Sequence, residues 1–76
     1  MTHETPPAKV GSLTVHLDGD LLDALNSYRK ADFELRTTEH KLGSKGRNAL
    51  IERSETEADR LATKLNIEVR NQLGEV

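Results

Sequence analysis

Three histidines stand at positions 3, 16 and 40, and there is no cysteine. The chain therefore has no thiol nucleophile, no disulfide framework and no thiolate metal cluster. The histidine spacings match no zinc pattern. Ser12, His16 and Asp18 include the residue types of a nucleophilic triad. They fall on one short stretch with no glycine-flanked nucleophile and no second base to orient them, so neither catalysis nor a cofactor is expected. Asp18, Asp20 and Asp23 lack the ordered oxygen ligands and closing glutamate of a calcium loop, and suit the start of a helix instead. What remains is anion chemistry. Between residues 36 and 47 four basic side chains, Arg36, Lys41, Lys45 and Arg47, oppose the single acid Glu39, with His40 beside them. Between residues 49 and 76 four bases face six acids, so the first segment suits a phosphate and the second does not.

The elements that must carry these residues follow from apolar spacing. Met1 to Gly11, with two prolines and a glycine, offers nothing to bury and reads as a disordered tail. Leu13-Thr14-Val15-His16-Leu17 alternates apolar and polar residues as a half-buried strand does, with Leu13, Val15 and Leu17 inward and Ser12, Thr14 and His16 outward. Asp18 stands where a cap belongs, and a helix follows with the stripe Leu21, Ala24, Leu25, Tyr28, Ala31 and Leu35. Leu22 and Phe33 are expected to widen that arc on one side. The pattern fades after Arg36, and Gly43 and Gly46 suit a helix exit and a turn. A second helix is expected after Asn48 as cap, with Leu50, Ile51, Ser54, Ala58, Leu61, Ala62 and Leu65 on one face. Val69 and Leu73 prolong that stripe to a stop at Gly74, while Asn66 to Val69 also alternates like a short strand.

At 76 residues and 8.5 kDa the chain is one small domain, expected over residues 12–73 between the tail 1–11 and the end 74–76. Hydrophobic residues are 34% of the sequence, with one Phe, one Tyr and no Trp, a thin core that points to oligomerisation. The net charge of -2 does not by itself announce a nucleic-acid binder. No apolar run exceeds three residues, which excludes a signal-peptide core and a membrane span and gives the expectation of a soluble, cytoplasmic chain with no membrane partner. A lone strand leaves its backbone groups unpaired on both edges. The economical solution is a two-fold dimer in which the strand pairs with its copy in an antiparallel ribbon. The expected fold class is thus mostly α with one short strand.

Leu13 to Asp18 followed by Leu21-Leu22-Asp23-Ala24-Leu25 resembles the start of a ribbon-helix-helix DNA-binding protein of the Arc/MetJ/CopG-like kind. Gly46-Arg47-Asn48-Ala49-Leu50-Ile51 is similar to that family's second-helix start. The resemblance covers residues 12–65. It departs from the family in the long interval between Asp18 and Asn48 and in having no Arg or Lys near His16. It implies an intertwined homodimer whose ribbon enters the major groove of double-stranded DNA. Ser12, Thr14 and His16 would then read bases, and Lys9, Lys41, Lys45, Arg47, Asn48 and Ala49 would hold phosphates. Leu13, Val15, Leu17, Leu25, Tyr28, Leu50 and Ile51 would form the dimer core. A bacterial repressor or plasmid maintenance or transfer factor, associated with nucleoid or plasmid, is the implied role. The alternative is a protein-interaction module, in which a dimer or a helical hairpin uses the acidic 49–76 segment to bind a partner, as an antitoxin would. The plainer readings stay open beside both: a solvated edge strand at 13–17, and a solvated loop at Lys41, Lys45 and Arg47.

Overall fold

The computed structural model describes residues 9–74 of the chain and consists of two helices, α1 (Gly19–Thr37) and α2 (Lys45–Leu73). Residues 1–8 of the expected tail and residues 75–76 of the expected end lie outside the described residues. The helices form an antiparallel hairpin. Arg53 Nη1 near the loop end of α2 bonds Glu34 Oε2 near the end of α1, and Lys64 Nζ further along α2 stands 3.8 Å from Asp20 Oδ2 at the start of α1.

The ribbon-helix-helix expectation is overturned. Among the described residues there is no strand, and the fold is all-helical. Residues 12–18 run without regular secondary structure, and no backbone hydrogen bond joins Leu13–Leu17 to another segment. The reason is physical: period-two alternation gives a segment two faces, but a ladder exists only where a second edge supplies donors and acceptors. Leu13 and Val15 are half-buried, Leu17 is 52% exposed, and Ser12, Thr14 and His16 are exposed. The dimer core assigned to the strand residues therefore has no sheet to sit in.

Asp18 is the residue before α1, as expected, but its side chain makes no capping bond; its carbonyl accepts from the Leu22 N–H at 3.2 Å. The helix ends where hydroxyls compete with the backbone. Thr37 Oγ1 donates to the Phe33 carbonyl at 2.7 Å, and Thr38 Oγ1 accepts from the His40 N–H at 3.1 Å, turning the chain out after Thr37. Residues 38–44 then connect the helices. The Ser44 N–H bonds the Lys41 carbonyl at 3.0 Å across a turn whose third residue, Gly43, has φ of 83°, a left-handed conformation that favours glycine.

α2 starts earlier than Asn48. Ser44 is its cap, with Oγ accepting from the Arg47 N–H at 3.2 Å, and Asn48 lies in the first helical turn with its N–H bonded to the Ser44 carbonyl at 2.9 Å. Gly46 therefore sits inside the helix, where the His40 ring packs so closely over it that an added Cβ would come within 2.6 Å of the imidazole. At the other end the helix runs unbroken through residues 66–73, which settles that segment as helix. Gln72 Nε2 donates to Glu68 Oε1 one turn back, and Gly74 at φ 73° closes the end with its N–H on the carbonyls of Arg70 and Asn71.

The interior between the helices is thin. Leu21, Ala24 and Ala31 are the buried hydrophobic residues, all from α1, with Ala24 at 0% and Ala31 at 1% exposure. Leu25, Tyr28 and Leu35 of α1 and Leu50, Ile51, Ala58 and Leu61 of α2 are half-buried around them. Two alanines at the contact let the helix axes approach closely, and α2 covers them with a mixed row in which Ser54, Glu57 and Lys64 interleave with Leu50 and Leu61. Leu22 and Phe33 do not widen the buried arc. At about 3.6 residues per turn they lie on the side of α1 turned away from α2, and Phe33 is 59% exposed.

Candidate interaction surfaces

The residues expected to touch DNA are not gathered into one surface by this fold. Ser12, Thr14 and His16 lie on the extended segment, while Lys41 and Lys45 are exposed around the interhelical turn at the opposite end of α1. Lys9 is exposed at the first described residue. Arg47 is half-buried, and its Nε is buried without a hydrogen-bond partner. The N–H groups of Arg47 and Asn48, which were expected to hold a phosphate, are taken by Ser44, and Ala49 is exposed beyond them.

A shallow groove of about 480 Å³ opens where the extended segment meets both helices, lined by His16, Asp18, Asp20, Lys64, Ile67 and Glu68 among others. Its charges are three carboxylates around one ammonium, with Lys64 nearest Asp20. Ser12 does not line it, so the three triad-like residue types do not converge there. Among the described residues no cluster of His, Asp or Glu is arranged to hold a metal ion.

The more informative feature is a difference between the two flanks of the helix seam. On one flank lie the ion pairs that cross it, Arg53 with Glu34 and Lys64 with Asp20. Glu57 is on the same side, its Oε2 buried without a hydrogen bond and 3.6 Å from Arg60 Nη1. At about 3.6 residues per turn, the opposite flank carries Leu25 from α1 and Ile51, Ala58, Ala62, Val69 and Leu73 from α2. These side chains are half-buried or exposed, and Leu65, at the border of the flank, is exposed too. On this flank and its outer border α1 also places Arg29, Asp32 and Arg36, and α2 places Glu52, Glu55 and Asp59, with Arg70 further along. Arg36 is held by Asp32 at 2.9 Å, whereas Arg29, Glu52, Glu55 and Asp59 make no ion pair among the described residues.

Sequence reasoning named Leu25 and Ile51 as interface residues and put Ala62 on the apolar face of the second helix, but passed over Arg29, Glu55 and Asp59. The signal lay in the spacing: positions 51, 58, 62, 65 and 69 recur at three, four and seven, displaced from the row Leu50, Ser54, Glu57 and Leu61 that meets α1. Compared with known proteins, the chain matches no family model, no curated protein and no solved structure. Among the described residues no helix is long and apolar enough to cross a membrane.

Proposed function

We propose that the chain is a protein-interaction module, a helical hairpin that presents the length of α2 to another polypeptide. One observation carries this reading: among the described residues the interior holds three buried hydrophobic residues, two of them alanine, while eight large hydrophobic residues are exposed, Leu22, Phe33, Leu65, Ile67 and Leu73 among them on the two helices. Full burial of a side chain of this size is worth about 1.5–3 kcal/mol, and each of those on the helices, 37–59% exposed, forgoes a share of it. A 29-residue helix beside a 19-residue one also leaves the last turns of α2 beyond the start of α1. Specific recognition by a hairpin of this kind uses apolar anchors at helical spacing, with charges at the rim selecting the partner. Base reading by Ser12, Thr14 and His16 loses its scaffold with the ribbon, and the basic residues at 41 and 45 supply charge without a reading element.

The test is photo-crosslinking in cells with a benzophenone side chain introduced at Ala62 and, separately, at Thr56 on the polar back of α2. A discrete protein adduct from position 62 and none from position 56 is the expected result, whatever the partner's identity. The absence of any adduct from position 62 overturns the reading.

A further inference from the structure

We infer that the apolar flank of the hairpin is the contact face for a second copy of this chain, related by a two-fold axis running parallel to the helices. This deepens the interaction-module reading and rests on it by naming the partner.

The argument starts from charge. α1 borders the flank with Arg29 and Arg36 around the single acid Asp32, which leaves that border net positive, and the facing stretch of α2 borders it with Glu52, Glu55 and Asp59. A partner that satisfies both borders must itself present acid opposite α1 and base opposite α2. This chain does so when turned about an axis along the helices, because that rotation lays α1 of each copy over α2 of the other. The rotation leaves every residue at its own height along the axis, so the heights can be checked. The ion pairs Glu34 with Arg53 and Asp20 with Lys64 set which residues of the antiparallel helices are level. By that register Arg29 stands level with the turn between Glu55 and Asp59, and Arg36 stands within one turn of Glu52. Arg29 then faces acid near the middle of the face, Arg36, held by Asp32, adds positive charge toward the interhelical turn, and symmetry repeats each contact. The other two-fold arrangement, with the axis across the helices, lays α1 on α1 and α2 on α2. It sets Glu52, Glu55 and Asp59 against their own copies, which like-charge repulsion opposes.

The apolar inventory agrees. With α1 of each copy over α2 of the other, Leu25 would lie against Ala58 and Ala62 of the second copy and Leu65 would sit beside the axis, and the alanines leave room for close approach of the helices. The other flank, with its ion pairs already made within the chain, offers no comparable face. The result is a four-helix bundle whose core is completed by the second copy, which suits a hairpin with three buried hydrophobic residues among those described.

The experiment is sedimentation equilibrium on the full chain with two charge-reversed variants. The first carries Arg29→Glu and Arg36→Glu, the second Glu55→Lys and Asp59→Lys. The wild type is expected to be a dimer at micromolar concentration. Each variant alone faces like charge at both contacts and should dissociate about tenfold more readily or worse. Mixed in equal amounts, the two should recover a dimer, because acidic α1 then meets basic α2 and basic α1 meets acidic α2. Far-UV circular dichroism of each variant confirms that the helices persist. Leu65→Asp, which leaves the rim charges in place, should also give monomer. A monomeric wild type, together with a discrete adduct from position 62 to some other protein, overturns this inference and leaves the interaction-module reading standing. A wild-type dimer that the mixed variants fail to restore overturns the geometry.

Discussion

Ser44 and Asn48 differ by one helical turn, and only one of them can cap α2. The Ser44 hydroxyl accepts from the Arg47 N–H, so Ser44→Ala should cost about 1 kcal/mol in chemical denaturation, whereas Asn48→Ala, inside the helix, should change stability little or raise it. Equal losses from both substitutions would contradict the cap assignment. Glu57 gives a prediction of opposite sign. Its Oε2 is buried with no hydrogen bond, and the 3.6 Å approach of Arg60 does not supply one. An apolar replacement removes that unmet polar group and adds contact at the seam, so Glu57→Leu should raise the thermal midpoint. A fall in the midpoint would mean that the carboxylate is doing stabilising work there. Gly46 is different again, because the His40 ring occupies the space its Cβ would need. Any side chain at 46 must first displace that ring.

α1 was readable from its sequence because its signals agree: Asp18 before it, an apolar row at three and four along it, and threonines where the row fades. α2 was readable in its middle and misread at its start, since Ser44 lies among glycines that look like a turn and its capping role shows only in the bond to Arg47. The expected strand failed for a deeper reason. Alternation at Leu13, Val15 and Leu17 reports which side chains prefer burial, while a strand is a statement about a neighbouring edge that one segment cannot make alone. Leu22 and Phe33 show that hydrophobicity alone does not mean inward, since both lie opposite the seam. The flank could have been found earlier from the charge split between the helices, which counts over whole segments conceal. A direct check on the strand is Val15→Pro. No ladder donor is lost, and the preceding Thr14 already lies outside any helix, so the helical signal and the unfolding midpoint should stay close to wild type. A collapse of helicity would show that residues 12–18 hold the hairpin through pairing after all.

Taken as a single body, the described chain is extended: its radius of gyration is 16.3 Å, against about 11 Å for a compact domain of this length. Part of the difference is the extended segment at residues 9–18, and part is that two helices lie side by side with no third layer. Stability is accordingly uneven along the molecule. Amide exchange in α2 should be slowest around Ser54 to Leu61, across from Ala24 and Ala31, and fastest in the last turns from Ile67 to Leu73, which extend past the start of α1. Uniform protection along α2 in dilute protein would show a cover over those turns. The short connection at residues 38–44 has a further consequence, for time rather than for energy. Every contact between the helices can be made by closing this one turn and zipping outward from Glu34 and Arg53, so non-local pairing never has to wait for a long loop. Helical chains with contacts this local fold in about microseconds to milliseconds. The hairpin can therefore form well before it meets another molecule at micromolar concentration, and the slow step in building any assembly from it is the meeting of two finished hairpins.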